Sequence, residues 1–296
     1  MTGTTSGRSA PTTRSGDHAA RDPEISRRSA TGLAFDDEGS GEPVVLLHAG
    51  VADRRMWDPI VPRLAARYRV IRADARGFGE TLPPSGPWSH YGDVLALLDE
   101  LLIVRTHLVG SSMGAGIAVE VALARPDAVA SLVLAAPGGA LFGEAPVGLR
   151  PIWAAEVDAL DRGDLDAAVE VNLRAWVDGP GRAPDAVDPI VRAFVGTMQR
   201  EAFELPEWDD EGAPEHELTP PAAGRLPSLR PSTLVVVGDA DQPAVIDTAD
   251  RLVAEVPDVR RIVFPDSAHM LTNERPDAFA DVVEAFLAEV GGNPPR

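Results

Sequence analysis

The sequence contains neither cysteine nor lysine, and all 27 of its basic residues are arginine. Without cysteine there are no disulfides, zinc–thiolate sites or thiol nucleophiles. Without lysine there is no Schiff-base chemistry and no phosphate loop of the lysine-bearing kind. Positive charge is scarce: 46 acidic residues leave a formal net charge of -19. Nucleic acid and anionic membrane surfaces would both be repelled, so neither is an expected partner. No apolar run approaches the roughly 20 residues that a membrane span needs. Ser26-Arg27-Arg28-Ser29 has the look of a twin-arginine export signal. The Gly32-Leu33-Ala34-Phe35-Asp36-Asp37-Glu38 that follows is too polar for the required apolar segment, so a cytoplasmic protein is expected.

Between these exclusions lies a regular alternation. Residues 1–28 are Ser, Thr, Gly, Ala and Arg without apolar periodicity and read as a disordered tail. Short apolar runs at 33–35, 44–48, 69–73, 108–109 and 132–136 read as strands. Stretches of helical spacing at 54–68 and 93–102, and a helix entered directly after 108–114, separate them. Continuous apolar strands alternating with helices predict an α/β fold: a mostly parallel central sheet with helices on both faces. After Pro137-Gly138-Gly139 the pattern breaks, and helices at 152–161, 165–176 and 189–203 follow without a convincing strand. A strand at 233–238, a helix at 242–256, a strand at 260–264 and a helix at 276–290 close the chain. The expected organisation is a core of 29–137 and 232–296 with a helical cap at 138–231.

The chemistry gathers around Gly110-Ser111-Ser112-Met113-Gly114. A G-x-S-x-G between a strand and a helix raises the middle serine on a sharp turn, above the sheet edge. Side chains at Gly110 and Gly114 would collide across so tight a turn, and the helix N-terminus aims free N–H groups at the site. A serine hydroxyl needs an imidazole to take its proton, and the imidazole needs a carboxylate to hold its tautomer. Two histidines follow Ser112. His216 sits in the acidic loop Pro214-Glu215-His216-Glu217 and reads as solvated; His269 follows the last strand, where a base could reach the serine. The acid comes from Gly238-Asp239-Ala240-Asp241, one aspartate to orient His269 and the other to cap the helix beginning near Gln242.

With these motifs in place the chain resembles the α/β-hydrolase superfamily, within it the small esterase, lactonase and cofactor-free haloperoxidase-like group with a helical cap. The resemblance runs from about Thr31 to the C-terminus. It rests on the elbow, His48-Ala49-Gly50 with Trp57 downstream, Asp74-Ala75-Arg76-Gly77-Phe78-Gly79, and Pro265-Asp266-Ser267-Ala268-His269. It implies Ser112, Asp241 and His269 as catalytic residues. It further implies an oxyanion hole from the Gly50 and Met113 amides, with Val51 as reserve because Ala49 replaces the family's usual glycine. His48 is expected to hold the oxyanion loop through backbone hydrogen bonds, and Asp74 and Arg76 to brace a turn. Val51, Trp153 and Trp176 are candidate pocket residues, core packing being the alternative for the two tryptophans. No cofactor or metal is implied. The expected activity is hydrolysis of a small-molecule ester or lactone with an uncharged acyl group, unless cap arginines favour an anion. Carbon–carbon hydrolysis, thioester cleavage and perhydrolysis would use the same triad. A hydrolase-like ligand receptor is the reading from another class.

Overall fold

Strands form where valine, leucine and isoleucine run unbroken, because a strand covered on both faces has no side that faces water. The computed structural model describes residues 27–206 and 213–291. Within them the strands are β1 (Arg27–Arg28), β2 (Ala34–Gly39), β3 (Glu42–Leu47), β4 (Tyr68–Ala73), β5 (Thr106–Ser111), β6 (Val129–Ala135), β7 (Ser232–Gly238) and β8 (Val259–Phe264). They make one sheet in the order β1-β2-β4-β3-β5-β6-β7-β8. The first two pairings are antiparallel and the remainder parallel, as the alternation predicts. β5 lies near the middle, so the carboxyl ends of β3, β5, β6, β7 and β8 open side by side onto one edge, where such sheets gather ligands.

The helices are α1 (Val61–Ala65), α2 (His90–Glu100), α3 (Met113–Ala124), α4 (Arg150–Asp161), α5 (Leu165–Asn172), α6 (Pro189–Phe203), α7 (Pro243–Glu255), α8 (Leu271–Glu274) and α9 (Pro276–Gly291). Several start on a side-chain cap: Ser89 accepts from the Gly92 amide, Asp164 from Ala167 and Asp188 from Ile190. α3, which follows the serine, is apolar nearly all round and buried along almost its whole length. Leu46, Ile71, Leu108, Leu132, Trp57 and Phe279 are among the fully buried side chains of the core. Between β6 and β7 the described residues hold α4, α5 and α6 and no strand. No described helix is long and apolar enough to cross a membrane.

Four local expectations change. Residues 1–26 of the expected tail lie outside the described residues, but Arg27 and Arg28 pair with Phe35 and Ala34 as β1. The expected strand at 33–35 runs on to Gly39 through Asp36, Asp37 and Glu38, because the neighbouring β4 brings Arg69 and Arg72 to meet them. The helical spacing at 54–68 resolves into a 3-10 turn at Arg54–Trp57 and the short α1. Pro59 and Pro62 lack the amide hydrogens that one continuous helix would need. The helix expected at 165–176 ends at Asn172 and widens into a π turn, Leu173–Asp178.

Candidate active site

Ser112 stands between β5 and α3 with φ 53° and ψ -112°. Positive φ at a non-glycine residue costs on the order of 1–3 kcal/mol and persists only where its surroundings hold it. Here the Ser112 amide donates to the Ala135 carbonyl (2.9 Å), and the Ser112 carbonyl accepts from the Ala115 (3.0 Å) and Gly138 (3.2 Å) amides. The glycines on either side have a steric reason. A Cβ on Gly110 would lie 2.2 Å from the Gly114 carbonyl oxygen, and one on Gly114 would lie 2.1 Å from that of Leu47.

The end of β3 is tied to this turn. The Gly114 amide donates to the His48 carbonyl (3.1 Å). The His48 ring accepts at Nε2 from the Ala75 amide (2.8 Å), so its proton sits on Nδ1 and is donated to the Ala49 carbonyl (2.9 Å). His48 therefore serves the loop's shape, as its surroundings in the sequence suggest. The Ala49 amide donates to the Met56 sulfur (3.3 Å) and is spent there. Among the described residues nothing accepts from the amides of Gly50, Val51 or Met113, and all three residues border the cavity described below. Beneath them Asp74 accepts from the Arg54 (2.8 Å) and Glu80 (2.9 Å) amides, and Arg76 pairs with Asp93 (2.6 Å). Both brace the turn, as expected. A space of about 20 Å³, room for one water, lies between His48, Asp74 and His90, and burial pushes the His90 imidazole down to about 3.

On the other side, the turn after β7 and the loop after β8 are packed backbone to backbone. A Cβ on Gly238 would lie 2.0 Å from the Ser267 carbonyl oxygen, and the Ala240 amide donates to that same oxygen (3.0 Å). The two aspartates of the turn divide their work. Asp241 is 3% exposed, and both of its oxygens lie 3.0 Å from Nδ1 of His269, itself 2% exposed. Asp239 is exposed and accepts from the Asp266 amide (2.8 Å), bracing the histidine loop. This corrects the expected helix cap: α7 begins at Pro243, behind Gln242, with no side-chain cap. His216 is exposed in its loop.

Ser112 and His269 border one cavity of about 420 Å³. Among the described residues the Ser112 hydroxyl has no hydrogen-bond partner, His269 included. Such bonds commonly tighten only around substrate. Val51, Trp153 and Trp176 all line the cavity; Trp153 is half-buried and Trp176 buried with its ring against that of His269.

Sequence reasoning missed Glu144, Glu156 and Asn172 on the same wall. Glu156 on α4 accepts from Asn172 on α5 (2.5 Å). Burial raises the Glu156 carboxyl above its ordinary range, against the lowering effect of that hydrogen bond. A second cavity of about 460 Å³ shares Gly50 and Glu156 with the first and is walled by Phe78, Leu160 and Phe203. No arginine among the described residues lines either one. Only the helical spacing of Glu156 and Asn172 was visible beforehand, and spacing does not tell which helix faces which.

Elbow, loops and sheet order together define an α/β hydrolase. The sequence agrees: residues 42–276 match the model of the α/β hydrolase fold family, and the chain belongs to that family. Among its relatives is the protein designated non-heme bromoperoxidase BpoC of Mycobacterium tuberculosis, 30% identical over 281 residues that span 87% of this chain and 98% of that one. A 2-hydroxy-6-oxononadienedioate/2-hydroxy-6-oxononatrienedioate hydrolase of Cupriavidus pinatubonensis is 30% identical over 261 residues, 85% of this chain and 89% of its own. In structure, a thermophilic esterase from Thermogutta terrifontis superposes with a TM-score of 0.70 at 24% identity, covering 90% of this chain and 97% of the esterase.

Proposed function

We propose that the protein hydrolyses carboxylic esters or lactones through an acyl-enzyme on Ser112. The Ser112 oxygen attacks the carbonyl carbon while His269 Nε2 takes its proton. Asp241 holds the Nδ1 proton and stabilises the imidazolium that results. The developing oxyanion is received by the Met113 and Gly50 amides, with Val51 as the alternative donor, each worth about 3 kcal/mol of barrier when well aimed. His269 then returns the proton to the leaving alkoxide. A water activated by the same imidazole releases the acid and restores the serine.

The observation that carries this reading is the buried His269–Asp241 pair, bordering the same cavity as a strained Ser112 whose neighbouring amides are unpartnered. The cavity wall supports an uncharged acyl group, since Glu144 and Glu156 border it and no described arginine does. A dicarboxylate, such as the one in the name of the Cupriavidus relative, would meet two acids and no cation. That favours esters and lactones over the carbon–carbon bond substrates cleaved with the same triad.

Ser112→Ala should lower p-nitrophenyl ester or lactone turnover by roughly four to six decades. Near-normal turnover in that variant ends the proposal. A fluorophosphonate probe separates enzyme from receptor: stoichiometric labelling of Ser112 supports the hydrolase, and folded protein that takes no label supports a ligand receptor.

A further inference from the structure

The segment between β6 and β7 does more than roof the cavity. Its π turn Leu173–Asp178 and the residues just after it touch both loops that carry the acid and the base. The Ala175 carbonyl accepts from Gln242 Nε2 (2.8 Å), the side chain next to Asp241. The Trp176 ring lies 4.7 Å from that of His269, centroid to centroid. Gly179 has φ +81° and is wedged between the loops: a Cβ there would sit 2.6 Å from the Ala240 oxygen and 2.8 Å from the Ala268 Cβ. Arg182 Nη2 donates to Glu274 Oε2 (2.7 Å), while Glu274 Oε1 accepts from the Ala268 amide (2.8 Å), one residue before His269. Arg182 and Glu274 side chains are only 15% and 8% exposed, so water screens this pair weakly. The turn itself is anchored to α6, because the buried Asp178 carboxylate pairs with Arg192 (3.0 Å).

We infer that the π turn and Arg182 are positioning elements for His269, so that the insertion sets the geometry of the base as well as the shape of the pocket. Arg182 works through Glu274 and Ala268 and touches no substrate. The inference rests on the proposed acyl-enzyme chemistry at Ser112.

A positioning residue alters the chemical step and leaves substrate binding alone. Misplacing a base by about an ångström costs up to about 100-fold in rate. Arg182→Gln is therefore expected to lower kcat for p-nitrophenyl acetate by about 10- to 100-fold, with KM changed by less than about twofold. The rate of fluorophosphonate labelling should fall in step, and Arg182→Lys, which keeps the charge, should recover most of the loss. Glu274→Gln keeps an acceptor for the Ala268 amide and loses only the ion pair. It should match Arg182→Gln, and the double variant should be no worse than either single one. Circular dichroism confirms folding, and if Arg182→Gln does not fold, Glu274→Gln carries the decision alone. Unchanged kcat in the folded variants, a rise in KM with kcat intact, additive losses in the double variant, or a loss that lysine does not relieve would each overturn the inference. Absence of Ser112-dependent turnover in the wild-type protein would instead defeat the proposed function, so the two failures are distinct.

Discussion

Glu120 offers a test whose size follows from its surroundings. It sits on α3, 6% exposed, and accepts a hydrogen bond from the Leu218 amide. Burial pushes its carboxyl from 4.5 up to about 7; the Leu218 bond opposes the shift and the charges of Glu215 and Glu217 add to it. At about 1.4 kcal/mol per pH unit the shift amounts to ~3 kcal/mol, and partial access of water reduces it to about 2. The sign follows from proton counts. Between pH 4.5 and about 7 the folded protein holds a proton that the unfolded chain has released. Stability from this group is thus complete below pH 4.5, falls as pH rises through about 7, and is flat beyond. Glu120→Gln keeps the acceptor for Leu218 and removes the titration. Urea unfolding followed by tryptophan fluorescence from pH 4 to pH 8 should show the two proteins alike at the acid end. At pH 8 the variant should be more stable by about 2 kcal/mol, or roughly 3 °C in Tm. A stability difference that does not vary with pH would refute the reasoning.

Other substitutions report on the site more directly. Gly114→Ala drives a Cβ to 2.1 Å from the Leu47 oxygen. It should lower Tm by calorimetry and abolish ester turnover together; a stable, active variant would show that the turn can relax. Asp241→Asn should cost about three to four decades of kcat with little change in KM, because His269 loses the acceptor that fixes its tautomer. Stopped-flow or steady-state kinetics would reveal a milder effect if Asp239 can substitute. Glu156→Gln should raise kcat/KM for a hemisuccinate ester, relative to a neutral ester of equal length, by about tenfold through relief of charge repulsion. An unchanged ratio would remove Glu156 from substrate selection.

The elbow was legible because strand, glycines and apolar helix are contiguous in the chain, and steric demands on contiguous residues leave a mark in composition. So was the order of the parallel strands' apolar runs. The family resemblance pointed to Asp241 as the acid, but the role of Asp239 was not legible: it braces the histidine loop through the Asp266 amide instead of capping α7, a contact that depends on how the loop after β8 folds back. The unpaired look of Asp36, Asp37 and Glu38 concealed a strand, because their arginine partners lie some thirty residues further on, in β4. Glu156 stayed hidden for the related reason that its place on the cavity wall depends on how α4 meets α5. The Met56 sulfur takes the Ala49 amide, a contact between residues seven apart that composition does not reveal, and it leaves Gly50 and Val51 as the free amides at the end of β3.

The strand order has a consequence for biogenesis. Ser131 on β6 pairs with Ser232 on β7, so the two halves of the sheet join only after the whole intervening segment has left the ribosome. The histidine follows β8, the last strand among the described residues, and β8 reaches the sheet only by pairing with β7, so it depends on the long β6–β7 closure. A nascent chain can therefore build the elbow well before His269 is in place. During refolding, the return of turnover should accordingly lag behind the return of helical signal.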